Sequence, residues 1–323
     1  MAVTAGTLTQ FEAIGVREDL TDTIYDISPT ERPFMSRAAR TTAKQRYHEW
    51  QTDALVAANA ANANPEGDDS TTATSPPTTR LGNYCQILKK VIQISGTMET
   101  VDKAGRDSEV AYQLAKRGKE LLRDLESSLS QNKGSTVGTT AAGRTLASVE
   151  SWLFTNRTDI GSGGSPTTPG FISGTVTAPT DNSASGTFTE AHLKAIIKAC
   201  WTQGGEPRTV LVGPFNKQRA SAFAGIATQY NDVTGRRPGT IQGAADVYVS
   251  DFGTLTIVPS RFSRDATVLV LDMDYWSVAY LRGVTKEKLA KTGDSEKWHL
   301  VAEATLEARN EKSSGKVTTC TTS

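Results

Sequence analysis

The stretch from Arg106 to Gln131 leaves this chain the least freedom. Val110, Leu114, Leu121, Leu125 and Leu129 recur at spacings of four or seven, and Ala111, Ala115 and Leu122 widen the same face. The pattern is that of one amphipathic helix. Asp107 or Ser108 is placed to cap its start, and Glu109 puts a negative charge in the first turn, where the helix dipole favours one. Arg117 with Glu120 and Glu120 with Arg123 are i,i+3 pairs for the wet side. Gln131-Asn132-Lys133-Gly134 ends the helix, with Gly134 as a left-handed stop. At 1.5 Å per residue the rod is roughly 39 Å long, a spine with the rest of the chain attached to its ends. Gly118, on or beside the apolar face, has two readings: a close packing contact or a bend point.

The segments before the spine do not form a core of their own. Residues 1 to 44 scatter Phe11, Ile14, Leu20, Ile24, Tyr25, Ile27 and Phe34 among Thr, Asp and Arg, without a period. They read as an arm whose isolated apolar residues, Phe11, Ile14, Ile24 and Phe34 above all, are anchors for another surface. Ser28-Pro29-Thr30-Glu31-Arg32-Pro33 is extended or turn-like, since each proline pushes its predecessor out of the helical region, and a short helix is open at about 30 to 39. Arg46 to Leu55 offers a strand with Tyr47 and Trp50, and Tyr84 to Thr100 a second one. Between them, Val56 to Arg80 is a run of 25 residues with Ala-Asn repeats, Asp68-Asp69, a Ser/Thr run and Pro76-Pro77. So long a structureless connection is foreign to a compact domain but natural in a projecting ribbon with a polar tip. A two-stranded ribbon is barely stable in water, so it is expected to lie on a neighbour.

After the spine, Ala141 to Phe154 reads as a shorter helix with Leu146, Val149, Trp152 and Leu153. Residues 155 to 186, rich in Gly, Ser, Thr, Pro and Asp, read as a linker or surface loops. Thr187-Phe188-Thr189-Glu190 fits a capping box for a helix through Gln203, with Leu193, Ile196, Ile197, Cys200 and Trp201 inward. Thr209 to Val212 is a buried strand, Pro214 opens a helix to about 226, and Val247–Val249 with Leu255–Val258 form a hairpin around Asp251-Phe252-Gly253. With Thr267 to Leu271 these make a small α/β domain. From Trp298 to Arg309 apolar and polar residues alternate, as in a long antiparallel strand wet on one side. Tyr275 to Leu289 is its partner across Thr292 to Ser295, and Lys316 to Thr319 is a candidate third strand.

Composition narrows the function classes. Lys plus Arg (35) equals Asp plus Glu (35), so no net field recruits nucleic acid or an acidic membrane. Cys85, Cys200 and Cys320 are widely spaced and read as isolated thiols of a reducing compartment. The first residues carry no signal-peptide pattern and no apolar run approaches the roughly 20 residues of a membrane span, so a soluble intracellular product is expected. The chain has three histidines, His48, His192 and His299, and no GxSxG, HExxH, Walker or dinucleotide-binding motif supports a catalytic or cofactor site. No catalytic, metal or cofactor residue is therefore assigned. Asp272 and Asp274 have the spacing of paired carboxylates but read better as a strand-end turn. Arg236-Arg237, between glycines, suits either a phosphate or neighbouring acid, or a solvated loop tip.

The order of these parts resembles tailed-phage major capsid proteins of the Hong Kong 97 type, a fold shared with encapsulins and herpesvirus capsids. Several strings resemble one phage subfamily more closely: Ser28-Pro29-Thr30-Glu31-Arg32-Pro33-Phe34, Gln93-Ile94-Ser95-Gly96-Thr97, Gly213-Pro214-Phe215-Asn216-Lys217 and Leu271-Asp272-Met273-Asp274-Tyr275-Trp276. The resemblance implies an α+β chain with an N-terminal arm (1–44), an extended β-ribbon loop or E-loop (45–96), a P-domain with the spine helix (97–186), a central α/β A-domain (187–266) and return strands completing the P-domain (267–323).

It implies a structural, non-enzymatic subunit of a virion, assembling in the host cytoplasm into hexamers and pentamers around double-stranded DNA, without sequence-specific binding. A portal protein would be a partner, with a separate scaffold and decoration proteins as further candidates. Arm and ribbon would bear the inter-subunit contacts, through Phe11, Ile14, Ile24, Phe34, Tyr47, Trp50 and Tyr84. The loop near Asn231 to Thr240, with Arg236 and Arg237, would approach the symmetry axes. Gly82 and Gly96 would set the ribbon angle and Gly118 the bend of the spine. The rival readings are an encapsulin-like compartment, a tail or neck component, and a monomeric intracellular hydrolase using Asp272 or Asp274 and a histidine.

Overall fold

The computed structural model describes residues 28–67, 75–223 and 246–322. In chain order they form β1 (Ala39–Thr42), β2 (Tyr47–Thr52), β3 (Thr79–Tyr84), β4 (Gln86–Ser95), α1 (Gly96–Thr100) and α2 (Glu109–Ser130). A single turn α3 (Val149–Trp152) and three short strands follow, β5 (Arg157–Asp159), β6 (Phe171–Ile172) and β7 (Thr175–Val176). Then come α4 (Glu190–Thr202), β8 (Thr209–Val212), α5 (Pro214–Ser221), β9 (Val247–Ser250), β10 (Gly253–Pro259) and β11 (Val268–Leu271). Two long strands, β12 (Trp276–Lys288) and β13 (Ser295–Ala308), precede the last one, β14 (Gly315–Thr318).

The spine is α2, a single helix of 22 residues. Ser108 caps it, accepting from the Ala111 N–H, and the Glu99 carboxylate of α1 accepts from the Ser108 hydroxyl and from the N–H groups of Glu109 and Val110. Four orphan donors at a helix start need such acceptors. Arg117 pairs with Glu120 at 2.6 Å as the spacing predicts, whereas Arg123 lies over the Phe262 ring instead. The expected left-handed stop at Gly134 is not used. The helix caps at Gln131 with extended backbone, and Gly134 is glycine because a Cβ there would lie 2.7 Å from the Val176 carbonyl.

Leu121, Leu125 and Leu129 pack on a four-stranded sheet of order β1-β12-β13-β4, in a core shared with Leu88, Ile92, Leu300 and Trp276. The β12–β13 hairpin appears as its alternation predicts, with Trp276 opposite Ala308 and Lys288 opposite Trp298. From Val301 onward, however, the polar face of β13 is not wet. Glu303 and Glu307 are buried beneath Arg144, Arg282, Thr41 and Ser277. Alternation reports which residues share a face, and here both faces are covered.

A second, six-stranded sheet has the order β5-β14-β11-β8-β10-β9 and packs its own core against α4. It takes β11 and β14 from beyond residue 266, so the expected boundary there falls inside a sheet. The candidate third strand of the return hairpin, β14, pairs with β11 and β5 instead. The β9–β10 hairpin and Pro214 at the first turn of α5 are as expected. Residues 155–186 are not a linker, since β5 completes this sheet and β6 pairs with β7.

Three local expectations fail for identifiable reasons. The helix expected over 141–154 is reduced to α3, because Thr136 bridges Thr145 and Gly138 has φ +76°. α4 is capped by Thr189 with His192 as the reciprocal partner, not by Thr187 with Glu190. Trp201 faces outward, 55% exposed, with its ring 5.1 Å from that of Phe252.

Candidate assembly surfaces

The ribbon is built from β2 and β3, not from β2 and the stretch after Tyr84. Tyr47 stands opposite Tyr84 and Thr52 opposite Thr79, while β4 leaves the ribbon and joins β13. Cys85, between the two strands, is fully buried. Gly96 therefore begins α1 at the far end of β4, beside Asp294, and is not a hinge of the ribbon. Lys89 and Lys90 also belong to β4, and Lys90 pairs with Asp124 of the spine at 2.7 Å.

The root of the ribbon is anchored to its own chain. Asn83 is fully buried, donating from Nδ2 to the carbonyls of Leu306 (2.9 Å) and Ala147 (3.2 Å) and accepting from the Ala147 N–H. Trp50 donates from Nε1 to the Ala308 carbonyl at 2.9 Å and packs its ring 5.4 Å from that of Trp152. The Tyr47 and Tyr84 rings pack 4.6 Å apart at a tilt of 45°, and Gly82 lies under the Tyr47 ring, where a Cβ would come within 2.6 Å of Cζ. Asn83 and Trp50 thus hold the ribbon to the body that carries it. Beyond Thr52 the character changes. Residues 53–67 and 75–78 are exposed throughout, with Leu55 100% and Val56 83% exposed.

The arm is likewise anchored at its root. Phe34 is fully buried, edge-on to Trp276 at 6.5 Å, so its ring has no surface left for a neighbour. Glu126, on the core side of α2, accepts from the N–H groups of Phe34 (2.8 Å) and Met35 (2.9 Å). Burial pushes its carboxyl above the usual range despite those two donors. Residues 33–37 are turns rather than a helix, and β1 follows alongside β12. Sequence reasoning missed Glu126 and Asn83. The available signal was Glu126 within the apolar stripe of Leu122, Leu125 and Leu129, where a carboxylate needs a partner. Phe11, Ile14, Ile24, Arg236 and Arg237 lie outside the described residues.

The groups suspected of chemistry have local structural work. His192 caps α4, His48 Nε2 lies 3.6 Å from Glu307, and His299 Nε2 lies 3.2 Å from Glu287. Asp272 caps a turn, accepting from the N–H groups of Glu206 and Asp274, which is the strand-end role. Cys85, Cys200 and Cys320 are free and buried, and burial raises all three thiols above their usual range. Among the described residues no cluster of His, Cys, Asp or Glu is placed to hold a metal ion, and no helix is long and apolar enough to cross a membrane.

Arg264 joins Glu150 and Asp181 in a buried ion-pair network, with the Lys316 ammonium 2.9 Å from the Glu150 carbonyl. Burial brings Lys316 down to about 8. This network ties β14 and the loop before α4 to α3, joining the two sheets.

Comparison with known proteins agrees with this architecture. A solved cyanophage A-1(L) capsid chain superposes with TM-score 0.66 at 13% identity, covering 97% of this chain and 99% of the other. A chain from the capsid of a native GTA particle gives 0.60 at 11% identity, with 96% and 97% covered. At such identities the likeness shows the fold, which is of the Hong Kong 97 type. The major capsid protein of Escherichia phage Phieco32 is 28% identical over 348 residues, covering 94% of each chain. The role is structural, not enzymatic. With the SU10 major capsid protein profile matching residues 3–321, nearly the whole length, the chain belongs to that family of phage capsid proteins.

Proposed function

We propose that this chain is the subunit from which hexamers and pentamers of an icosahedral phage head are built, assembled in the host cytoplasm. The observation that carries the proposal is the ribbon. Its root is sealed to the body by Asn83 and Trp50, while its outer part holds Leu55 and Val56 out in solvent. Apolar side chains displayed on a long arm find cover only on another molecule. In a capsid family that molecule is an adjacent copy, with the ribbon laid over its surface. The distal arm, through Phe11, Ile14 and Ile24, reaches a second neighbour, and the loop with Arg236 and Arg237 approaches the axes.

Since one sequence must serve both hexamers and pentamers, some element has to adapt. Gly118 in mid-spine is the candidate, because little packs against it and the helix gives least resistance there. The shell encloses double-stranded DNA without reading its sequence, consistent with a chain of zero net charge. It joins a portal at one vertex, with a separate scaffold and decoration proteins as further partners. Negative-stain electron microscopy of the expressed chain, with and without its genomic neighbours, tests this. Closed shells with five- and six-fold capsomers are expected. Rings, tubes or a monodisperse 34.6 kDa species under both conditions would overturn it.

A further inference from the structure

The spine helix carries cations that its own fold does not use. Lys116 and Lys119 are exposed on the outer side of α2, and neither forms an ion pair with a described residue. Arg123, one turn on, is engaged among the described residues only by the face of the Phe262 ring, 5.7 Å away. Glu120, the carboxylate among them, is already held by Arg117. These side chains border a groove of about 250 Å³ whose apolar lining is Tyr112 and Ala115. Ser28 and Thr30 also line it, so residues 1–27 join the described body at this groove.

The joining segment is opposite in charge. Residues 18–27 contain Glu18, Asp19, Asp22 and Asp26 and no cation, in a chain that is neutral as a whole. Leu20, Ile24, Tyr25 and Ile27 alternate with those carboxylates. Ten extended residues span up to about 33 Å, ample for the roughly 17 Å between Tyr112 and Arg123 along the helix. A tether this short gives the segment a local concentration of the order of millimolar at the groove.

We propose that the groove along Lys116, Lys119 and Arg123 is the seat of residues 18–27 of the same chain. The carboxylates meet the three cations, and Ile27 covers Tyr112 and Ala115. One exposed ion pair holds little by itself, but several on a short tether over an apolar floor need hold only the tether's residual freedom. The cations also suit the phosphates of duplex DNA. The arm is favoured because it is attached at the groove and carries its own counter-charges. Docked in this way, the arm root fixes the direction in which Phe11 and Ile14 are presented. The contact is intramolecular and stands whether or not the chain builds the shell proposed above.

Hydrogen–deuterium exchange on the dilute full-length chain tests it. At low salt, amides 18–27 are expected to exchange about tenfold or more slowly than in the free peptide, and to lose that protection as salt screens the pairs. Lys116→Glu with Lys119→Glu abolishes the protection, and adding Asp19→Lys with Asp22→Lys restores it. Should the reversed variant fail to fold, the salt titration of the parent decides. Peptide-like exchange in the parent, protection indifferent to salt or charge reversal, or protection that grows with protein concentration would each overturn the proposal. So would protection of Ala115 to Arg123 that appears only on adding duplex DNA, which would make the groove a phosphate-binding face.

Discussion

Glu307 and Glu126 are both carboxylates in the body of the protein, and acid acts on them in opposite senses. Burial alone would raise Glu307, but the His48 ring 3.6 Å away and hydrogen bonds from Ser277, Arg309 and Thr41 outweigh it and hold the carboxyl at about 2. A depressed carboxyl contributes stability that is complete above its unfolded pKa and is lost as pH falls towards the folded value. For Glu307 that window runs from about 4.5 down to about 2. Glu126 is raised by burial, so it costs the fold stability at neutral pH, and acid relieves that cost. Glu307→Gln is therefore expected to destabilise the subunit at pH 7, by a few kcal/mol in order of magnitude, and to flatten the acid limb of its stability profile. Urea unfolding at pH 7 and pH 3 checks this. A variant that loses as much stability as the parent between the two values would show that Glu307 is not the responsible group.

At the scale of elements, the spine was legible because a 3.6-residue period over six turns has few other interpretations. Gly118 was not, since sequence cannot say what stands opposite a glycine. A Cβ there would meet only Leu300 Cδ2, at an ordinary 3.9 Å, so close packing does not explain this residue. Gly118→Ala is expected to fit without displacement and to stabilise the subunit by up to about 1 kcal/mol through helix propensity. If bending at Gly118 serves assembly, the same variant forms fewer closed shells or fails to expand, as read by electron microscopy. Shells identical to the parent's would remove the hinge role.

Gly82 illustrates the opposite case, for the Tyr47 ring fills the space that a side chain would need. The two strands of the ribbon were misjudged for a related reason. Thr79–Tyr84 and Gln86–Ser95 form one nearly continuous β-prone run, and only the buried Asn83 and Cys85 mark where it changes partner.

For the whole molecule, stability and assembly separate. The body has two large cores, joined through the Arg264 network, while residues 53–67 add almost nothing to either. Leu55→Asp with Val56→Asp should thus leave unfolding free energy within about 0.5 kcal/mol of the parent, as surface changes do. The same pair should abolish shells, by placing charges in an interface that buries them. Calorimetry together with electron microscopy reads both effects. Normal shells from this variant would show that the ribbon tip is not the contact.

Sequence by itself determined what depends on neighbours along the chain: the spine and its cap region, the β12–β13 and β9–β10 hairpins, the solitary thiols, and a long polar excursion no compact core could absorb. Family-specific strings supplied the rest of the outline. Tertiary structure alone decided which strands pair across distance and which side chains end in the core. It drew β14 into the second sheet, buried Phe34 and the acidic face of β13, turned Trp201 outward and set Glu126 to hold the arm. The reason is physical. Local period and turn chemistry are fixed by a residue's own backbone and its immediate successors, whereas burial of a phenyl ring or a carboxylate depends on partners far away along the chain, whose arrival no local pattern records.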